Sequence, residues 1–542
     1  MTFKPSPMQQ AFYNWVSHGK GHCILDAVAG SGKTTTILNG IEKMRGNVWF
    51  GVYNKKMADE LLDKIKDNPA LAKRAAFGNR TDPLKTSTFH SLGYGIVRAH
   101  NGKQVKTEID DKKVERIVDA LIAEREGADN QKREDLRELK PAVLSIVSMA
   151  KNRGFGIGER IKDIPKFEWV DMIEHFDLDS SLPEDYDATT VILFARTALT
   201  RSNKDTVVLD YNDMVYLPLL HNMRVPPWFK FDWVLIDEAQ DSNPTRRALA
   251  ERVMADGARL VAVGDPHQAI FGFTGADNDS LEQIRDAFNA KELPLSVSYR
   301  CPYNVVMHAK QWVPHIESHA NADEGSVSSM PYDDLVPHLR ASDACDPEET
   351  AVLCRYNKPL VGLCFKLIRE GIPAKIEGRS IGDNLIKMAK RWKSIKTVNG
   401  LETKLREYEE REVKKALAKE QEAKADRIVD EVATLVTIIE RTRAQDLNQI
   451  TDMCDIIEDM FQDDVSGKGI LTLCSAHKSK GLEWNDVYLL GRDDFMPSKM
   501  ARQDWQIDQE NNLIYVAVTR AKSNLIEVTG VKQEKDPTEK EE

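Results

Sequence analysis

The stretch Ala27-Val28-Ala29-Gly30-Ser31-Gly32-Lys33-Thr34 has the residue types and spacing of a phosphate cradle. Gly30 and Gly32 let the backbone approach an anion with no Cβ in the way. The N–H groups of the turn and of the helix opening at Thr34 point at the anion together. Lys33 would reach the β- and γ-phosphates as a point charge, and the Thr34 hydroxyl would ligate Mg²⁺. The usual pattern starts with glycine where this chain has Ala27. A second chemical pair, Asp237-Glu238, ends the apolar run Trp233-Val234-Leu235-Ile236. Asp237 would hold Mg²⁺ and Glu238 would polarise the water that attacks a γ-phosphate. Beyond a third run, Leu260-Val261-Ala262-Val263, comes Gln268, placed to sense the γ-phosphate, and then Phe273. An aromatic there can stack on a base, worth ~1–3 kcal/mol without sequence preference.

The elements that position these groups are legible as apolar runs. Each run reads as a buried parallel strand delivering its C-terminal end to the ligand crevice of an α/β sheet. Further strands are predicted over 48–53 and 85–87, ending near Tyr53, Asn54, Thr88 and His90. Those residues are either turn residues or part of the crevice lining. Ser6-Pro7 opens a helix through Trp15, in which Gln9 is either solvated or able to read the edge of adenine. Helical periodicity dominates 105–205, an insertion whose Lys151 and Arg153 are read as solvated surface or as phosphate contacts. A second α/β unit begins near Leu293 and carries Ser298-Tyr299-Arg300. It has predicted strands over 350–354, 372–376, 470–473 and 487–490, and helices over 359–370 and 512–522. Between 383 and 463 the chain is helical again, and its charged centre over 402–426 reads as a solvated hairpin. The segment from Lys532 reads as a disordered charged tail.

The bulk numbers exclude several classes. A chain of 542 residues exceeds one hydrophobic core, so about two to four domains are expected. Its 7 cysteines lack C-x-x-C spacing, which argues against a zinc site or a disulfide framework and suits a reducing compartment. No apolar run approaches the ~18 residues of a membrane span, and MTFKPSPMQQ lacks a signal-peptide core. The net charge of −11 does not advertise a nucleic-acid partner, yet a local basic groove is enough for one.

In order and spacing, AVAGSGKT, VLIDEAQD, VGDPHQAIFGF, SYR, SAHKSKGLEW and YVAVTRAK make the chain resemble the UvrD/Rep-type DNA helicases of superfamily 1, from Gln9 to about Gly530. The strings VYNKKMA and TFHSLGYG resemble the F-box DNA helicase branch more closely, although these residues include no F-box. The resemblance implies an α/β fold of two tandem RecA-like P-loop NTPase domains, each with a mainly helical insertion. The first core would be 1–104 with 206–290, interrupted by 105–205; the second would be 291–382 with 464–531, interrupted by 383–463; and 532–542 would be the tail.

By the same resemblance Gln9 contacts adenine, while Ala29, Gly30, Ser31, Gly32, Lys33, Thr34 and Thr35 hold the phosphates of ATP. Thr34 and Asp237 take Mg²⁺, Glu238 serves the water, and Gln268 senses the γ-phosphate. Tyr299 stacks on the base of ATP and Glu483 contacts its ribose. Arg300 and Arg520 are arginine fingers, typically worth about 10³–10⁵ in rate. Tyr53, Asn54, Thr88, His90, Phe271, Phe273 and His477 face single-stranded DNA. The implied activity is an ATP-dependent, 3′–5′ single-stranded DNA translocase and helicase, working as a cytoplasmic monomer on single strands and on junctions with duplex. Phe273 and Thr274 stand where the family commonly has tryptophan and a basic residue, and the insertion over 383–463 is shorter than in the large repair helicases. A translocase that strips proteins from DNA, or an ATP-switched DNA-binding module, are the alternative readings.

Overall fold

The computed structural model describes residues 4–531 except 77–81, 125–136, 138, 177, 179–187, 273–274, 276–278, 342–345, 371, 419–421, 463–468, 500 and 502. The charged tail from Lys532 and the stacking candidate Phe273 therefore lie outside the described residues. The chain forms two compact units: Met1–Val28 with Gly32–Ser296, and Val297–Glu542 with Ala29–Ser31.

In the first unit, six strands form a parallel sheet: β1 (Cys23–Ala27), β2 (Val48–Val52), β3 (Leu84–Thr88), β4 (Phe231–Ile236), β5 (Met254–Gly264) and β6 (Lys291–Leu295). Their spatial order is β3-β2-β4-β5-β1-β6. Alternation along β1, β2, β4 and β5 feeds two cores. Val234 and Ile236 of β4 pack with Trp49 and Leu260 in one. Trp233 and Leu235 pack with Phe50 and Val261 in the other. Such double-sided burial is why these strands read as continuous apolar runs. The strand β6 differs from the sequence reading, which gave 291–295 to the second core; it pairs along β1 from Cys23 to Ala27. Its Lys291, Glu292 and Pro294 suit an edge strand and hide it from an apolar-run criterion.

Helices α1 (Pro7–His18), α2 (Lys33–Ile41), α3 (Lys55–Lys66) and α4 (Phe89–Asn101) cross between or flank these strands. The inserted region holds α5 (Lys113–Glu124), α6 (Lys140–Arg153), α7 (Lys166–His175) and α8 (Ala188–Ser202). A short parallel pair, Glu108 with Val208 and Ile109 with Leu209, brings its two ends together. The chain returns through α9 (Tyr211–Leu220) and, after β4, α10 (Pro244–Arg252).

Lys151 is neither solvated nor a phosphate contact. It is 1% exposed, and its ammonium donates to Asp213 at 2.7 Å, to Ser202 at 2.9 Å and to Asp210. Lys113 donates to the other Asp213 oxygen at 2.6 Å and to the Asp205 carbonyl at 2.8 Å. Two lysines and two aspartates thus neutralise one another where α5, α6 and α9 meet. The partners are dozens of residues apart, so local charge patterning could not reveal them.

The second unit is built on a seven-stranded parallel sheet, β7 (Ser326–Pro331), β8 (Thr350–Cys354), β9 (Ala374–Glu377), β10 (Phe461–Gln462), β11 (Leu471–Ser475), β12 (Trp484–Leu490) and β13 (Ala521–Thr529), in the order β7-β13-β12-β8-β11-β9-β10. Its helices include α11 (Asn357–Arg369), α12 (Arg379–Ala389), the hairpin α13 (Val398–Ala418) and α14 (Glu422–Ala444), α15 (Ile450–Met460) and α16 (Asp504–Val518). Asp430 of α14 accepts from the backbone N–H groups of Asn357 and Lys358, both at 3.0 Å, which docks the hairpin onto the start of α11. The predicted helix over 512–522 ends earlier, at Val518. Residues 521–529 instead pair in parallel with β12 on one side and β7 on the other. Tertiary pairing outweighs the helical periodicity that runs into Thr519 and Arg520.

Candidate active site

Lys33, Thr34, Asp237, Glu238 and Gln268 of the first unit follow the C-terminal ends of β1, β4 and β5, with the turn Ala29–Ser31, which groups with the second unit, between β1 and α2. Gly30 and Gly32 take left-handed φ angles of 71° and 74°. A Cβ on Gly32 would meet only the Gln9 amide nitrogen, at 3.7 Å, so the backbone conformation rather than space calls for glycine. The N-terminus of α2 carries no side-chain cap, which leaves its first N–H groups for an anion. The Ser31 hydroxyl is buried with no hydrogen-bond partner among the described residues. Thr34 is partly buried and Thr35 exposed at the start of the same helix.

Glu238 follows β4 in a left-handed conformation, φ 47° and ψ 44°. Lys33 donates to Glu238 Oε2 at 3.4 Å, and the Glu238 N–H donates to Asp237 Oδ1 at 3.0 Å. After β5, Gln268 is buried and donates from Nε2 to Asp265 Oδ2 at 2.6 Å. Burial, and next the charge of Glu238, push the Asp237 carboxyl up to about 7 against the pull of Lys33. Burial raises Asp265 too, again opposed by Lys33. Asp237, beside Glu238 and drawn towards its charged form by Lys33, offers carboxylate oxygens of the kind a divalent cation takes. Among the described residues no group of three or more potential metal-ligating side chains is preassembled. That suits Mg²⁺, which takes one or two protein oxygens and completes its shell with water and substrate phosphates.

Gln9 is nearly buried in α1. Its Oε1 accepts from the Ser6 N–H at 3.0 Å and its Nε2 donates to Thr36 Oγ1 at 3.0 Å. The capping box and the contact with α2 thus use one valence at each end of the amide, and each end has one more to offer a base.

The DNA-facing candidates occupy the strand ends but differ in what they do. Asn54 caps α3 by accepting from Met57 N at 2.9 Å, and Thr88 caps α4 by accepting from Ser91 N at 3.1 Å. Tyr53 lies under the Arg246 guanidinium, 4.0 Å from its ring centroid. His90 meets the ring of Tyr211 edge-on at 6.4 Å. Phe271 is partly buried beyond the turn that carries Gln268. His477 follows β11 in the second unit and is half-buried. Sequence reasoning missed Arg246 and Tyr211, the latter 58% exposed at the start of α9. An exposed aromatic just after an N-cap aspartate was the available signal for Tyr211.

In the second unit, Tyr299 is 43% exposed with its ring 4.8 Å from that of His319. Arg300 Nε donates to Glu483 Oε2 at 2.6 Å and its Nη1 to the Thr519 carbonyl at 3.4 Å. Arg520 sits in the turn between α16 and β13, 1% exposed. It donates to the carbonyls of Val516 at 2.8 Å and Leu482 at 3.1 Å and to Thr519 Oγ1 at 3.3 Å.

Comparison with known proteins gives two family matches. Residues 8–289 match the UvrD/REP helicase N-terminal domain, and residues 381–529 match the UvrD-like helicase C-terminal domain. The chain is 24% identical over 536 residues to F-box DNA helicase protein 1 of Schizosaccharomyces pombe, an alignment covering 92% of this chain and 54% of that protein. It is 23% identical over 650 residues to ATP-dependent DNA helicase Rep of Escherichia coli, covering 96% and 90%. With ATP-dependent DNA helicase PcrA of Bacillus subtilis it shares 20% over 643 residues, covering 96% and 82%.

Proposed function

The chain belongs to the UvrD/Rep helicase family and is an ATP-dependent DNA helicase, and from that premise we propose that it hydrolyses ATP to move 3′ to 5′ along single-stranded DNA and to open junctions with duplex. The observation that carries this reading is the cluster of Lys33, Asp237, Glu238 and Gln268 at the C-terminal edge of one parallel sheet, beside the uncapped N-terminus of α2.

Each residue's part follows from its chemistry. The α2 amides and Lys33 bind and orient the triphosphate. Gln9 offers its remaining N–H and lone pair to adenine, Tyr299 its exposed ring to the base, and Glu483 its carboxylate to the ribose. Glu238 takes the proton of the attacking water, and Gln268 reports the γ-phosphate to the loop that follows it. Arg300 and Arg520 stabilise the charge that develops as the γ-phosphoryl group transfers. When bound, Mg²⁺ held by the Thr34 hydroxyl and the Asp237 carboxylate screens phosphate charge. Tyr53, His90 and Phe271 present ring faces or edges to DNA bases, joined in the same role by Phe273 and His477. The capping residues Asn54 and Thr88 fix the strand ends that carry this surface. Among the described residues no helix is long and apolar enough to cross a membrane. We place the working protein in the cytoplasm as a monomer.

The test pairs ATPase rate with strand displacement on a duplex bearing a 3′ or a 5′ single-stranded tail. ATPase stimulated by single-stranded DNA, with unwinding only from the 3′ tail, is expected. Equal turnover with and without DNA would overturn the motor reading in favour of an ATP-operated switch.

A further inference from the structure

We propose that Gln240 is the positioning residue that aims Glu238 and couples it to the loop bearing Gln268. Gln240 is 1% exposed and sits in the tight turn Ala239–Asp241 directly after Glu238. Its Nε2 donates to Glu238 Oε2 at 2.6 Å, and its Oε1 accepts from the Asp265 N–H at 3.1 Å. Reversing the amide would set oxygen against carboxylate and N–H against N–H, so both neighbours enforce the same orientation. Asp265 in turn receives the Gln268 amide at 2.6 Å. Glu238, Gln240, Asp265 and Gln268 therefore form one hydrogen-bonded line from the end of β4 to the turn after β5.

Gly264, the last residue of β5, belongs to the same arrangement. A Cβ there would collide with Gln240 Oε1 and stand 3.1 Å from its backbone nitrogen, and φ at Gly264 is not positive. The missing side chain makes room for the amide. The left-handed backbone of Glu238 adds strain of ~1–3 kcal/mol, which a surrounding structure must hold in place. A carboxylate on so flexible a side chain activates water only where it is aimed, and a misplacement of about 1 Å can cost about 10² in rate.

This inference rests on the reading of Glu238 as the water-activating group, and the experiment separates the two. Steady-state ATPase on an oligodeoxythymidine strand is measured for Gln240→Leu, Gln240→Glu and Gly264→Ala beside Glu238→Gln. The Gln240 and Gly264 variants should lose about 10- to 100-fold in kcat with KM for ATP within about two-fold of the parent. Gln240→Glu keeps the size and the acceptor for Asp265 but sets a carboxylate against Glu238, so it should fall at least as far as Gln240→Leu. In the Glu238→Gln background, Gln240→Leu should cost nothing further, because both act on one step. A packing role would lower both backgrounds alike and would overturn the proposal. Should Gln240→Leu fail to fold by circular dichroism, Gly264→Ala decides, since it retains every polar group. Parental kcat in the Gln240 and Gly264 variants beside an inactive Glu238→Gln overturns this inference alone. Parental turnover in Glu238→Gln overturns the reading of Glu238 itself.

Discussion

Arg300 and Glu483 are joined by a 2.6 Å hydrogen bond from guanidinium Nε to carboxylate Oε2, within the second unit. Two residues assigned by sequence to different parts of ATP thus hold each other. Glu483 is nearly half exposed, so the pair contributes about 0–1 kcal/mol to stability, and its main effect is on where the guanidinium points. Glu483→Ala should leave the melting temperature within about a degree or two and lower ATPase kcat by about ten-fold or less. Arg300→Ala should lower kcat by about 10³ or more. Steady-state kinetics on both variants check this: equal losses would show that the Glu483 bond is essential to Arg300, and a larger loss in Glu483→Ala would show that Glu483 does more than orient it.

Arg520 carries a structural load that Arg300 does not. Its guanidinium donates to the buried Val516 carbonyl, the part-buried Leu482 carbonyl and the Thr519 hydroxyl. Arg520→Ala removes these three hydrogen bonds, worth ~0.5–1.5 kcal/mol each, while the Thr519 hydroxyl keeps its own bonds to the Tyr515 and Val516 carbonyls. It should lower the melting temperature by a few degrees as well as cutting kcat. Arg520→Lys, which keeps the charge and refills part of the space, should recover stability more than turnover. Calorimetry and ATPase on both variants decide; recovery of kcat together with stability would mean that Arg520 acts only through the fold.

The buried group of Lys113, Lys151, Asp210 and Asp213 is balanced in charge. Lys151→Met leaves two carboxylates facing one lysine, and removing one partner from such a set costs about 3–5 kcal/mol. Adding Asp210→Asn should restore part of that loss. Urea unfolding of the single and double variants measures it, and additive losses would show that the ions do not act as a set.

Acid should destabilise the protein through two histidines. Burial, then the charge of Arg246, lowers His90 to about 4. Burial, then Arg355, lowers His477 to about 3. Each folded value lies below the unfolded value of 6.5, so the unfolded chain binds more protons as pH falls below that point. The stability of the neutral forms is complete above about 6.5, declines through the window down to 4 or 3, and is fully lost below it. Melting curves from pH 7 to 4.5 should show this decline, and His90→Gln with His477→Gln should flatten it. An unchanged slope would remove these residues as its source.

The glycine-rich turn between β1 and α2 and the Asp237-Glu238 strand end were legible because each is local. A buried strand, a turn and a helix start require a contiguous pattern, and parallel strands covered on both faces write themselves as unbroken apolar runs. The strand limits 350–354 emerged without error for that reason. What sequence could not yield depends on partners distant along the chain. The segment 521–529 becomes a strand because β12 and β7 lie on either side of it, and 291–295 joins the first sheet because β1 offers an open edge. Lys151 looks solvated until Asp210 and Asp213 meet it in the interior. Gln240 lies within the string VLIDEAQD, but the string does not say what its amide touches, since that depends on the groups placed at its two ends. Sequence by itself determined which residue types are suited to phosphate chemistry and which strands precede them. Tertiary structure alone decided how each one's hydrogen bonds are satisfied, because burial forces every polar group to find a partner wherever in the chain that partner lies.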